Sequence, residues 1–230
     1  LPNIEFLYPN QMNAFLKHLK RVNWIPDFQE EHLPHFFSEE EIKDRKVYQK
    51  QILAKSDVVV FSSEDSKNDF LNLYPESQSK LFVLPFAVTL PDITSLNIND
   101  LLKKYNLPDK YFFLPNQFWA HKNHIVLLKA VKKLKDKGVE VVVAFSGKEF
   151  DYRNVNNFNK LKSYIKDNSI EANIKFLGFM DRKEQLCLMR HSIAIIQPSL
   201  FEGWSTVVED AKALNKFIIL SDLKVHREQI

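Results

Sequence analysis

Along the chain, short unbroken apolar runs alternate with longer stretches in which apolar residues recur every three or four positions, patterns that belong to buried strands and amphipathic helices respectively. Strand-like runs fall at 4–8, 22–25, 57–62, 81–84, 111–114, 139–145, 174–177, 192–196 and 217–220. Helical stretches run from Ser38 through Ala54, over 67–73, near Leu101, from Asn123 to Gly138, over 154–168, through Cys187 and from Thr206 to Leu214. A weaker helical pattern lies at 13–19, and another helix starts near Val225. Strands of this length separated by helices predict parallel pairing through right-handed crossovers, and hence an α/β fold.

Helix ends are marked by their chemistry. Ser38 with Glu41, Asp181 with Glu184 and Thr206 with Glu209 each match a capping box, in which two side chains three residues apart satisfy each other's backbone amides. Thr206 is then the expected N-cap of its helix, and Asn123 that of another. Gly138 and Asn215 stand where a left-handed residue ends a helix. Ile42, Val47, Ile52 and Leu53 lie partly on one face of the helix begun by Ser38, and Leu127, Leu128, Val131 and Leu134 form the expected core stripe of the helix after Asn123. Prolines 91 and 108, with scattered Asn, Asp and Ser, mark a linker. The expected division is a first Rossmann-like domain at 1–88, a linker at 89–109 and a second Rossmann-like domain at 110–230.

Composition adds limits. At 45% apolar and 27% charged, the 230 residues are those of an ordinary globular protein. The net charge of +3 is spread over most helices, which argues against nucleic acid as a partner and leaves open peripheral contact with an anionic membrane. One cysteine, Cys187, excludes an internal disulfide and reads as a small core hydrophobe in a reducing compartment. No run approaches the about 18 apolar residues of a membrane span. The chain opens without methionine and stops as a helix begins, so it is expected to be a piece cut at both ends.

The candidate chemistry gathers after strands. Between the runs at 192–196 and 217–220 lie Glu202, Gly203, Trp204, Ser205, Thr206, Val207 and Glu209, at a strand's carboxyl end and a helix's amino end, where unpaired N–H groups suit an anion. The residues alone allow two readings, a ligand site or a turn and cap with solvated carboxylates. Lys122, ahead of another helix start, opposes the helix dipole unless an anion sits there; a solvated loop lysine is the alternative. His32 lies in an irregular loop of prolines and aromatics, as a cleft residue or a structural histidine. His121 and His124 have no cysteine or carboxylate at ligand spacing nearby, so a metal site is not expected.

The segment from Glu202 through Gly203, Trp204, Ser205, Thr206, Val207 and Val208 to Glu209 resembles the E-x7-E region of the family 4 (group 1) retaining glycosyltransferases, in a shorter form with six residues between the glutamates. The resemblance extends to Ile25-Pro26-Asp27-Phe28-Gln29 with His32, where Glu30 replaces a histidine, to the run from Asn116 to His124, and to Phe179-Met180. It implies two Rossmann-like domains facing across a cleft (GT-B), both incomplete in this chain. The implied reaction moves a sugar from a nucleoside diphosphate sugar to a hydroxyl with retained configuration, with no metal and no cofactor besides the donor substrate.

In that reading Lys122 holds the donor diphosphate and Gln117 is a further donor-binding residue, although many members carry an arginine where Asn116 and Gln117 stand. The helix start at Gly203, Ser205, Thr206 and Val207 shares that role, and Glu209 accepts from the ribose hydroxyls. Met180 faces the nucleobase, while Glu202 and His32 are the catalytic candidates, orienting the donor sugar and positioning donor or acceptor. The implied acceptor is a glycan, a lipid-linked species or a small molecule, and the implied location cytoplasmic, at or away from the inner face of a membrane. The alternatives are a nucleotide-sugar epimerase on the same fold and a non-catalytic nucleotide-sugar-binding domain. The 230-residue piece alone is expected not to turn over.

Overall fold

The computed structural model describes residues 5–9 and 19–230. The chain divides into two compact units, one formed by Leu1–Phe86, Phe201–Trp204 and Leu223–Ile230 and the other by Ala87–Leu200 and Ser205–Asp222. Of the weak helical pattern at 13–19, all but Leu19 lies outside the described residues.

In the first unit, strands β1 (Phe6–Leu7), β2 (Lys20–Ile25), β3 (Val58–Phe61) and β4 (Lys80–Val83) form a parallel sheet in that order, with Trp24 opposite Val60 and Val60 opposite Phe82. Helices α1 (Gln29–His32), α2 (Glu39–Lys55) and α3 (Glu64–Leu73) lie between the strands. The capping box at Ser38 forms in full, with Ser38 accepting from the Glu41 amide and Glu41 accepting from the Ser38 amide. Alternate residues Val59 and Phe61 pack with Ile25, Phe28, Ile52 and Phe70. Val47, expected to join that face, is 46% exposed. At about 100° per residue it points about 140° away from Ile52 and cannot share its side of the helix.

The second unit runs α4 (Ile98–Lys104), β5 (Phe112–Leu114), α5 (His124–Asp136), β6 (Val143–Phe145), α6 (Asn157–Asp167), β7 (Ile174–Phe176), α7 (Arg182–His191), β8 (Ile195–Gln197), α8 (Thr206–Ala213) and β9 (Ile218–Leu220). Its five strands are parallel, in the order β7-β6-β5-β8-β9. The period of two along each strand feeds two cores. Phe113, Ala144 and Ile195 join Leu186, Leu188, Met189, Val207 and Ala211 on one side, with Cys187 as expected among them. Leu114, Phe145 and Ile196 join Leu128, Val131, Leu161 and Ile165 on the other. The strand expected at 139–145 pairs only over Val143–Phe145. Gly138 turns with φ +74° and the Val139 amide closes the end of α5 on the Leu134 carbonyl, so the chain joins the ladder only afterwards. Asn215 takes the left-handed conformation expected of it, and the chain then returns to the first unit as α9 (Lys224–Gln229).

Candidate functional site

The strand order of the second unit reverses between β5 and β8, which carries the chain away from the sheet in opposite directions and opens a crevice at the carboxyl ends of the strands. A cavity of about 650 Å³ occupies that position. The segments that follow four strands line it: Asn116, Gln117, Trp119 and Lys122 after β5, Ser146 and Gly147 after β6, Phe179, Met180 and Arg182 after β7, and Thr206 and Val207 after β8.

Each wall has a local cause. Lys122 ends a single 3-10 turn, Ala120–Lys122, whose first amide donates to the buried Asp151 carboxylate at 2.8 Å. The His121 carbonyl accepts from the Leu200 amide at 2.8 Å, which braces the same turn from its other side. Asn123 follows it, but in the left-handed conformation with no side-chain cap; its amide group instead donates to the Pro198 carbonyl at 3.1 Å. Gly147 lets two backbones touch: a Cβ there would stand 2.4 Å from the Asn116 carbonyl oxygen, at φ +140°.

The α8 helix starts one residue earlier than its capping pattern predicts. The Glu209 amide donates to the Ser205 carbonyl at 3.2 Å, so Ser205 is the N-cap and Thr206 the first helical residue. Ser205 is buried, and its hydroxyl accepts from the Gln197 side chain at 3.2 Å instead of capping. The Ser205 side chain therefore does not cap the first-turn amides of α8, and Thr206 and Val207 stand at the edge of the cavity. Glu209, in the next turn, is buried and accepts from Lys212 at 3.1 Å.

Residues 97–230 match the family described as Glycosyl transferases group 1. The chain belongs to this family.

Proteins similar to it differ widely from it in sequence. An uncharacterized glycosyltransferase of Methanocaldococcus jannaschii is 21% identical over 180 residues, which are 76% of this chain and 42% of the archaeal protein. Anabaena HepE, solved with UDP and glucose, superposes with a TM-score of 0.73 at 15% identity, covering 94% of this chain and 56% of HepE. A Rickettsia africae glycosyltransferase gives 0.69 at 21% identity, over 90% of this chain and 52% of its own. The chain thus spans about half the length of these relatives. At such identities the structural likeness is one of fold, the Rossmann-like GT-B class.

The residues expected of a donor site separate into three groups. Lys122, Gln117, Met180, Thr206 and Val207 meet in the one cavity. Ser205 and Glu209 belong to the same helix start and are not among its lining residues. Glu202, Gly203 and His32 belong to the first unit. There Gly203 lies so close to Pro26 and Asp27 that a Cβ would stand 2.7 Å from the Pro26 carbonyl oxygen and 2.8 Å from the Asp27 Cβ. Trp204 donates to the Phe86 carbonyl at 3.0 Å and holds the segment in place.

Burial keeps the Asp27 carboxyl above the usual range, the neighbouring Glu30 and Glu202 charges add to this, and the Gln29 amide and Arg45 oppose it. Glu30, which stands where the resemblance places a histidine, is buried with Arg45 at 2.9 Å and Gln49 as partners. His32 Nε2 meets the Asp69 carboxylate at 2.7 Å, which raises the histidine pKa. Its ring lies 5.0 Å from that of Phe201.

Other residues singled out in the sequence have structural places of their own. Asn116, one of the two residues in place of the arginine, is buried and turned to the Gln197 side chain, so it brings no donor to the cavity mouth by that route. His124 is stacked on Phe118 at 4.4 Å, and burial pushes its pKa down to about 3, leaving it neutral and apolar in role. Among the described residues no group of three His, Cys, Asp or Glu could hold a metal ion, and no helix is long and apolar enough to cross a membrane. Sequence reasoning missed Trp119, Ser146, Gly147, Arg182 and Gln185 as cavity residues. A glycine directly after a strand, in a chain with four glycines, was a usable signal for Gly147.

Proposed function

We propose that the protein transfers a sugar from a nucleoside diphosphate sugar to a hydroxyl with retained configuration, and that the second unit holds the donor. The observation that carries this is the placing of Lys122 and the start of α8, not capped by its N-cap side chain, on one cavity at the strand-order reversal. A cation and a row of outward N–H groups fit an anion of two phosphates. The UDP in the HepE structure supports a nucleoside diphosphate as the leaving group.

In this mechanism Lys122, Gln117 and the amides from Ser205 to Val207 stabilise the charge that builds on the departing diphosphate, where preorganised donors lower the barrier most. Glu209 accepts from the ribose hydroxyls and Met180 faces the base. Glu202 orients the donor sugar, Gly203 belongs with the donor-binding residues, and His32, oriented by Asp69, positions donor or acceptor. The reaction as written needs no metal or further cofactor. The acceptor is a glycan, a lipid-linked species or a small molecule, handled in the cytoplasm or at the inner face of a membrane.

The test is Lys122→Ala in the full-length protein. Nucleoside diphosphate affinity is expected to fall by about 1.5–3 kcal/mol, the range for hydrogen bonds to charged groups, with the melting temperature unchanged. Equal affinity by calorimetry in the variant and the parent would remove Lys122 from the site.

A further inference from the structure

Arg182, the first residue of α7, lines the cavity with 43% of its side chain exposed, while its partner Asp210 on α8 is only 2% exposed. Nη1 donates to Asp210 Oδ2 at 2.6 Å and to Gln185 Oε1 at 3.2 Å, and Nη2 donates to Asp210 Oδ1. A guanidinium carries five N–H donors in one rigid plane. Three are used here. The remaining two, on Nε and on the side of Nη2 next to it, are parallel along one edge and have no partner among the described residues.

Two features decide what that edge can bind. Asp210 offsets the guanidinium charge, so Arg182 offers direction without the net charge that attracts a phosphate. A neutralised pair of parallel donors suits two adjacent uncharged acceptors. Phe179, three residues earlier, lines the same cavity with its side chain largely in solvent, an aromatic face on which a nucleobase can stack. Guanine presents N7 and O6 side by side as acceptors, whereas adenine sets an N–H donor beside its N7. Uracil also alternates acceptor and donor along its edge.

We propose that Arg182, held in orientation by Asp210 and Gln185, is a specificity-determining residue that selects guanine as the base of the donor nucleotide. This rests on the nucleotide-sugar reading above, and it goes further by naming the base.

The experiment is calorimetry of the full-length protein with GDP, UDP, ADP and 7-deaza-GDP, an analogue that lacks only the N7 acceptor. The parent should bind GDP about tenfold or more tighter than the other three, the span expected of one bidentate base contact. Arg182→Lys keeps a cation beside Asp210 but has no paired edge, so it should bind all four alike. A parent that binds UDP or ADP as well as GDP, or an Arg182→Lys variant that keeps the preference, would overturn the assignment while leaving the donor reading in place. If the parent binds none of the four, the donor reading falls and the base selection with it.

Discussion

The turns that open α7 and α8 both leave the end of a strand in the second unit, and both line the same cavity. At α7 the chain closes its own helix: Asp181 accepts from the Lys183 amide at 2.8 Å and from the Glu184 amide at 3.3 Å. At α8 the corresponding hydroxyl of Ser205 is turned inward to Gln197 and does not cap the first-turn amides. One helix start is capped by the carboxylate of its own N-cap residue, and the other is not capped by its N-cap side chain. Under the proposed donor site, the difference marks the start of α8 as the turn that meets the diphosphate. Arg182 and Asp210 join the two helices one residue and one turn inside these starts, so the closed turn steadies the open one.

Cutting that tie should have the largest effect. Arg182→Ala leaves the Asp210 carboxylate buried without its counter-charge, and a loss of about 3 kcal/mol or more in stability is expected from denaturant unfolding. Asp210→Ala leaves a guanidinium that is already 43% exposed and can be hydrated, so the loss there should be clearly smaller. Equal losses in the two variants would mean that the tie is not holding a buried charge and that α7 does not steady α8.

The closed turn itself offers a milder test. Asp181→Ala removes a cap with two amide contacts and should cost about 1 kcal/mol, read as a lower melting temperature. Nucleotide affinity should stay near the parent value, because the carboxylate serves its own helix. A variant that melts like the parent and binds nucleotide differently would place Asp181 in the site and dissolve the contrast between the turns.

What could be read in advance follows the range over which each feature is decided. The alternation of Phe113 and Leu114 to two cores needs only the period of a strand, and the capping box of Ser38 with Glu41 needs only residues three apart; both were legible. The start of α8 was misplaced by one residue because Ser205 and Thr206 are both capping residues and the Thr206–Glu209 spacing matches a box, while the Ser205 hydroxyl is engaged by Gln197, eight residues away. Asp181 was legible as a cap, but Glu184 completes no box; Lys104 and Tyr105, about eighty residues earlier, hold its carboxylate. Lys122, Thr206 and Val207 were marked by their places at helix starts, Gln117 and Met180 by family resemblance alone, and all five line one cavity. Arg182 and Asp210 lie 28 residues apart on separate helices, and no local pattern announces such a pair.

The open turn gives the smallest expected change in stability and the sharpest separation of roles. With Ser205 as N-cap, Glu209 stands one position too far along α8 to complete a capping box, so its carboxylate does not hold the helix start in that way. Its contact with Lys212 and its place near the positive end of the helix are together worth a few tenths to about 1 kcal/mol. Glu209→Gln keeps the shape and an acceptor oxygen and removes the charge. The melting temperature should therefore barely move. If the carboxylate accepts from ribose hydroxyls, nucleotide binding should weaken by about 0.5–1.5 kcal/mol in the same variant, since a neutral amide accepts less strongly. Calorimetry and thermal melting on one preparation decide the matter: unchanged affinity with a lowered melting temperature would make Glu209 a structural residue, and the open start of α8 would then bind phosphate without help from its own second turn.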